Sequence, residues 1–175
     1  PEAFSPTPGT ETATHYAEGG RKHPETHPLF AGPRIVDAEG GIVEVIPKRK
    51  KVAIVGFASS SREQAPYFDP EIEIWSINQL YRYTVRADRH FEMHQRPVFE
   101  ADTVRDTDYV GWLQRTTIPV YMIETQPDMP MSVRYPVERV IARFGRDYFS
   151  SSIAFELALA LFEGFEEIHI YGVDL

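Results

Sequence analysis

The chain has 175 residues, of which 42% are hydrophobic and 13% aromatic, so it can bury a sizeable core as one domain. It has no cysteine, which excludes disulfides, thiolate nucleophiles and cysteine zinc sites, and we expect a reducing, cytoplasmic environment. The formal net charge of −8 argues against general nucleic-acid binding, and no apolar run reaches the roughly 18 residues of a membrane span. The sequence shows no recognisable signal-peptide pattern, and because it begins at Pro1 and not at Met we expect it to be a processed or partial chain.

Residues 1 to about 33 are rich in Pro, Gly, Thr and Glu and show no apolar periodicity. Such a segment cannot bury enough surface to offset its ordering entropy. We therefore predict a tail that is disordered unless a protein partner orders it. Its histidines, His15, His23 and His27, lack the spacing of metal ligands, so we expect no metal site there.

Residues 34–50 are predicted to form a β-hairpin followed by a basic linker. Two short β-branched runs, Arg34 to Val36 and Ile42 to Ile46, flank a turn that contains Gly40 and Gly41. We expect this hairpin to pack on the edge of a sheet. The basic cluster at 48–51 is interpreted as a solvated linker before a strand, in preference to a phosphate or nucleic-acid patch.

Residues 51–175 alternate between short apolar runs and helical patterns. The predicted strands are KVAIVGF, EIEIWSIN, DRHFEMH, IPVYMIE and EIHIYGVD. The predicted helices lie at 62–67, 79–84, 108–115, 137–144 and 152–163. This alternation predicts an α/β domain with a mostly parallel sheet that is covered on both faces. We expect Val52 to Val55, Ile72 to Trp75 and Ile168 to Tyr171 to be adjacent in the centre of the sheet.

Ligands of open parallel sheets bind at the carboxyl ends of the strands, so the residues that follow each strand are the candidate site. Gly56, Ser59 and Ser60 follow the first strand and could cradle a phosphate with backbone N–H groups, although a plain strand-to-helix turn explains them equally well. Asn78 follows the second strand, and its amide suits a ribose or a base edge. The alternative for Asn78 is a helix cap.

His90, Glu92 and His94 share one face of the third predicted strand. Three such residues could bind a metal ion, but hydrogen bonding between two of them in a cleft is the commoner arrangement, and we predict no metal. His94 lies furthest towards the carboxyl end and is the candidate for a catalytic residue. We expect His90 to be a packing residue.

The last two candidate positions flank the final helix and strand. Ser151 and Ser152 open the helix at 152–163, where backbone N–H groups and the helix dipole favour an anion. Capping of the helix by a serine is the alternative interpretation. Asp174 follows the last strand, where a carboxylate can accept a bond from a sugar hydroxyl or can cap the next turn.

The segments KVAIVGFASSS, EIWSINQLY and YFSSSIAFELALALFEGFEEIHIYGVDL together resemble the nucleotide-sugar-binding core of bacterial lipooligosaccharide sialyltransferases. They are also similar to a broader set of often phage-encoded proteins with the same Rossmann-like core. The resemblance covers roughly residues 52–175 and implies a Rossmann-like three-layer domain, a nucleotide or nucleotide-sugar ligand and no cofactor. It implies that Gly56, Ser59 and Ser60 face the nucleotide, that Asn78 holds the sugar, and that Ser151 and Ser152 lie by the phosphate or carboxylate.

This sequence departs from the pattern of that family at two places. The asparagine of the family's first loop is replaced by Phe57 or Ala58, and its proline is absent. The family's general-base histidine and phosphate-binding tyrosines follow the Gly-Ile-Asp strand, whereas this chain ends at Leu175. The resemblance therefore implies a C-terminally incomplete, glycosyltransferase-like domain, sialyltransferase-like if active, with its base outside this chain.

The alternative is a non-enzymatic interaction module, or a virion-associated structural module, that keeps the fold without the activity. In that case the N-terminal tail would contact a protein partner. A phage origin, which the resemblance implies, would place the protein in the host cytoplasm or in the virion.

Overall fold

The computed structural model describes residues 34–45, 49–101 and 106–174. In this part the chain forms an α/β fold with a mixed sheet of eight mostly parallel strands and five α-helices. The predicted tail at residues 1–33 lies outside the described residues.

The strands alternate with the helices along most of the chain. The strands are β1 (Arg34–Val36), β2 (Ile42–Val45), β3 (Lys51–Val55), β4 (Ile72–Ile77), β5 (Arg89–Glu92), β6 (Val120–Met122), β7 (Ser132–Arg134) and β8 (Glu167–Tyr171). The helices are α1 (Ser59–Arg62), α2 (Arg96–Ala101), α3 (Tyr109–Arg115), α4 (Val137–Phe144) and α5 (Ser152–Glu163), with a 3-10 helix at Asn78–Arg82.

The strand order across the sheet is β1-β2-β7-β6-β5-β4-β3-β8. The predicted hairpin is present, because β1 pairs antiparallel with β2. It extends the sheet as its two outer strands, since β2 pairs in parallel with β7. The other strand pairs are all parallel, as the sequence predicts.

The strands β4, β3 and β8 are adjacent and parallel, which confirms their predicted pairing. Their predicted position in the centre of the sheet is wrong, because β8 is its outermost strand on that side. Helix α5 packs on β3, β4 and β5, and the side chains of β8 stay partly exposed, with Ile170 at 47%. The apolar run in β8 therefore does not reflect burial on both faces.

The middle of the sheet is covered on both faces, because alternate residues of one strand join different apolar clusters. Tyr121 of β6 packs in the cluster that contains Trp75 and the buried side of α5. Its neighbours Val120 and Met122 pack in the cluster that contains Trp112 of α3. The candidate site lies where these covered strands end.

The basic linker before β3 is held by acidic side chains of neighbouring elements. Arg49 pairs with Asp88 at 3.1 Å, and Lys51 pairs with Glu167 of the adjacent strand at 2.7 Å. Lys50 pairs with Glu166. Arg49, Lys50 and Lys51 therefore form ion pairs within the fold.

Candidate functional site

The order of the strands reverses at β3. The chain runs from β3 through β4, β5 and β6 to β7, and then returns through α4 and α5 to place β8 on the other side of β3. In open α/β sheets the ligand crevice lies outside the carboxyl ends of the strands at such a reversal. The loops that begin at Gly56 and Gly172 meet there.

Backbone contacts close this crevice. The N–H of Gly56 donates to the carbonyl oxygen of Tyr171 and the N–H of Ala58 to that of Gly172, both at 2.8 Å. A Cβ atom on Gly56 would lie 2.5 Å from the Gly172 oxygen, and Gly172 adopts a φ of +66°. Glycine is needed at both positions because the two chains approach too closely for a side chain.

The small hydroxyl residues after β3 also bind the end of β8. The Ser60 hydroxyl donates to a carboxylate oxygen of Asp174 at 2.5 Å, and the Ser61 hydroxyl accepts from the N–H of Gly172 at 2.8 Å. Ser59 is exposed in the first turn of the four-residue helix α1. Gly56, Ser60 and Asp174 thus lie close together. Their contacts connect the end of β3 to the end of β8.

Ser151 caps helix α5, since its hydroxyl oxygen accepts from the N–H of Ala154 at 3.3 Å. Ser152 is the first residue of that helix. The Tyr135 hydroxyl donates to the Phe155 carbonyl at 2.9 Å, which places the first turn of α5 beside the residue after β7. The described contact of Ser151 is therefore the capping arrangement.

A cavity of about 830 Å³ lies over the ends of β3, β4 and β5. This volume is in the range of small-molecule sites. It is lined by Phe57, Asn78, Gln79, Arg82, Tyr83, His94, Val98 and Phe99. Asn78 and His94 both line this cavity, whereas the other six candidates are not among the described residues that line it, so the structure does not gather the candidates into one cleft.

Asn78 combines an unusual backbone conformation with an unpaired oxygen. Its φ of +47° lies in the left-handed region, which asparagine tolerates better than most residues. Its Oδ1 atom is buried and has no hydrogen-bond partner within the described part of the chain. The helix that Asn78 begins has no side-chain cap. A buried amide oxygen without a donor is costly, and a ligand N–H or O–H would satisfy it.

His94 and Glu92 form a hydrogen-bonded pair at the end of β5. The Glu92 carboxylate is fully buried, whereas the His94 side chain is 49% exposed. Oxygen Oε1 of Glu92 lies 2.7 Å from His94 Nδ1 and accepts from the His94 backbone N–H at 2.9 Å. A carboxylate can only accept, so the ring proton is on Nδ1 and the basic lone pair is on Nε2. This pairing is the arrangement of a general base and its orienting group.

The second oxygen of Glu92 leads to a buried chain of hydrogen bonds. The Tyr109 hydroxyl donates to Glu92 Oε2 at 2.8 Å and lies 3.0 Å from His90 Nε2. His90 Nδ1 lies 2.8 Å from the Ser76 hydroxyl. Burial lowers the pKa of His90 to about 3 and raises the pKa of Tyr109 well above its usual range. His90 is thus neutral and Tyr109 keeps its proton at neutral pH.

These bonds engage all three side chains of the set His90, Glu92 and His94. The three side chains bond to one another or to Tyr109 and Ser76. Across residues 34–45, 49–101 and 106–174, no three His, Asp or Glu side chains are placed to hold a metal ion. Sequence reasoning missed Tyr109 and Ser76, which lie on other elements.

The rim of the cavity carries aromatic rings and positive charge. Phe57 and Tyr83 are 42% and 48% exposed. The Arg62 guanidinium lies 5.0 Å from the centre of the Tyr83 ring and donates to the Phe57 carbonyl at 2.7 Å. Arg82 lines the same cavity. Exposed aromatic faces can stack a base, and guanidinium groups suit phosphate.

Comparison of the chain with protein-family models, with curated proteins and with solved structures found no match. Among the described helices, none has both the length and the apolar character needed to cross a bilayer.

Proposed function

We propose that this chain is a glycosyltransferase-like, Rossmann-like domain that binds a nucleotide or nucleotide sugar in the cavity between Asn78 and His94. The unpaired, buried Oδ1 of Asn78 is the observation that carries this proposal. It lies at the carboxyl edge of a parallel sheet, where such folds bind their ligands. The resemblance to sialyltransferases supports the same ligand class.

The lining residues suit the parts of a nucleotide. Phe57 and Tyr83 offer exposed rings against which a base can stack. Arg82 supplies positive charge for the phosphate, and Asn78 accepts a hydrogen bond from a sugar hydroxyl or an amino group of the base. His94 then faces the ligand from the end of β5. If the chain is phage-encoded, the ligand would come from the host cytoplasm.

The test is titration calorimetry with a panel of cytidine and uridine nucleotides and their sugar derivatives. Asn78→Gly removes the side chain while it keeps the left-handed backbone accessible. We expect it to weaken binding by about 1–3 kcal/mol, roughly 5- to 150-fold, because the ligand donor loses its partner. Glu71→Ala, at an exposed residue that does not line the cavity, is the control and should leave the affinity unchanged. A folded protein that gives no heat with any member of the panel would refute the proposal.

The second candidate function is an interaction module, and one observation favours it. Leu161 of α5 and Ile170 of β8 are 53% and 47% exposed, and β8 pairs only with β3 among the described strands. An outer strand with open backbone groups can pair with another strand. The partner would be a second copy of this chain, with β8 against β8. Light scattering that shows a dimer, and its loss in Ile170→Lys, together with the absence of nucleotide binding, would support this candidate.

A further inference from the structure

We propose that His94 is the general base of this site and that buried Glu92 and Tyr109 position it. This inference rests on the proposed function, and it assigns the base to the described chain. Its substrate is a hydroxyl compound that accepts the sugar of the bound nucleotide sugar, or water in the absence of such an acceptor.

Glu92 is the hydrogen-bond acceptor at the centre of the arrangement. Its carboxylate is fully buried and accepts three hydrogen bonds, from the ring and backbone of His94 and from the hydroxyl of Tyr109. A carboxylate at 2.7 Å from the imidazole favours the protonated ring and therefore strengthens His94 as a base. The backbone bond fixes where the side chain leaves the strand, and the half-exposed ring lines the cavity.

Tyr109 determines which oxygen of Glu92 serves His94. Its proton goes to Glu92 Oε2, so its hydroxyl oxygen must accept from Nε2–H of neutral His90. His90 Nδ1 then accepts from the Ser76 hydroxyl. Each donor in this series of hydrogen bonds thus points towards Glu92. Glu92 Oε1 remains as the acceptor for the His94 ring. Tyr109 is consequently a positioning residue that acts through Glu92.

Other charged groups also face His94. Arg82 reaches the cavity from the 3-10 helix, Arg96 comes from α2, and Glu124 follows β6. Arg96 is held by Glu100 at 2.6 Å and by Asp128 at 2.5 and 2.8 Å. Glu92 is the carboxylate that bonds directly to the imidazole ring, so its removal should have the largest effect on His94.

The proposed step balances within the site. His94 Nε2 takes the proton of the acceptor hydroxyl, and the acceptor oxygen forms a bond to the anomeric carbon of the sugar. The bond between that carbon and the phosphate oxygen breaks, and the nucleotide leaves with the electron pair. The imidazolium then returns its proton to solvent. With water as the acceptor, the products are the free sugar and the nucleotide.

The experiment measures nucleotide release from the nucleotide sugar that gives the largest heat in the calorimetric panel, with binding measured separately for each variant. We expect His94→Gln to bind within about twofold of the original chain and to lose turnover by about 10²- to 10⁴-fold. His169→Gln, on the exposed strand β8, is the matched control and should keep its turnover. Binding of the nucleotide sugar with unchanged turnover in His94→Gln overturns the assignment of the base alone. Absence of binding in the original chain overturns the proposed function itself.

The positioning roles have a readout that needs no ligand. We expect the midpoint of the His94 ring-proton titration in NMR to move to lower pH by about one unit in Glu92→Gln. Tyr109→Phe keeps the ring stacking on Tyr81 and should give a smaller shift than Glu92→Gln does, with the acidic limb of the pH–rate profile displaced by the same amount and KM unchanged. An unchanged titration midpoint in both folded variants would refute the positioning roles.

Discussion

Glu156 of helix α5 is predicted to destabilise the fold at neutral pH. It lies on the face of α5 that buries Leu159 and Ala160, and both of its carboxylate oxygens are buried without a partner among the described residues. Burial raises the pKa of Glu156 well above the usual range of a glutamate. The folded state therefore holds a proton that the unfolded chain releases at a lower pH.

The sign of the pH dependence follows from this difference. The stability linked to Glu156 is fully present below the pKa of an unfolded glutamate and is lost as the pH rises towards the raised folded-state pKa. Over that interval the free energy of unfolding falls by about 1.4 kcal/mol per pH unit. Glu156→Gln abolishes this slope, because the amide does not ionise. Glu156→Leu also removes the unpaired polar group. We expect its free energy of unfolding to exceed that of Glu156→Gln by about 1–3 kcal/mol.

Urea unfolding between pH 5 and 8 measures both effects, and the buried Trp75 and Trp112 provide a fluorescence signal. The difference between the original chain and Glu156→Gln isolates this residue from the other carboxylates. The exposed Glu71 supplies the control, since Glu71→Gln should leave the slope unchanged. Equal pH slopes for the original chain and Glu156→Gln, or a Glu156→Leu variant less stable than the original at pH 7, would refute the reasoning.

Two further substitutions test the packing that shapes the site. Gly56→Ala should lower the free energy of unfolding by about 1–3 kcal/mol in urea denaturation, because its Cβ would meet the Gly172 oxygen at 2.5 Å. Gly145→Ala is the control, because a Cβ atom there has no neighbour within 4 Å and only the φ of +66° is strained. It should lower the free energy of unfolding by less than Gly56→Ala does. Arg89→Leu should cost about 3–5 kcal/mol in the same assay, because it leaves the carboxylate of Glu163, 2.8 Å from Arg89, buried without its cation. Equal losses for both glycine variants, or no loss for Arg89→Leu, would contradict these expectations.

The sequence predicts best those elements whose local pattern agrees with their packing. The helices at 109–115, 137–144 and 152–163 begin and end within one residue of their predicted bounds, because apolar spacing and end residues point the same way. Gly164, for example, ends α5 with a left-handed φ of +81°, which glycine adopts more readily than other residues. Strand β7 was missed because only three residues form it and proline flanks it on both sides. Helix α2 was not predicted because its six residues are too few to show an apolar period.

The sequence predicts only those site residues that follow a strand directly, because ligands of parallel sheets bind at the carboxyl ends of the strands. Asn78 and His94 were found because each follows a strand of the parallel sheet. Tyr109 belongs to a helix that was predicted, but its pattern indicates only a core aromatic, and its bond to Glu92 depends on how α3 packs. The contact between the loops at Gly56 and Gly172 joins segments distant in sequence, and no local pattern indicates it.

That contact accounts for the absence of Gly56, Ser60 and Asp174 from the described residues that line the cavity. Gly56 and Gly172 touch through their backbones, so the ends of β3 and β8 bond directly to each other. The cavity lies beside this contact, over the ends of β3, β4 and β5, where Phe57 is exposed and Asn78 has a buried Oδ1 without a partner among the described residues. A ligand held there by Asn78 faces the end of β5. The group best placed to act on it is therefore His94, whose orientation is fixed by Glu92 and, through Glu92, by Tyr109.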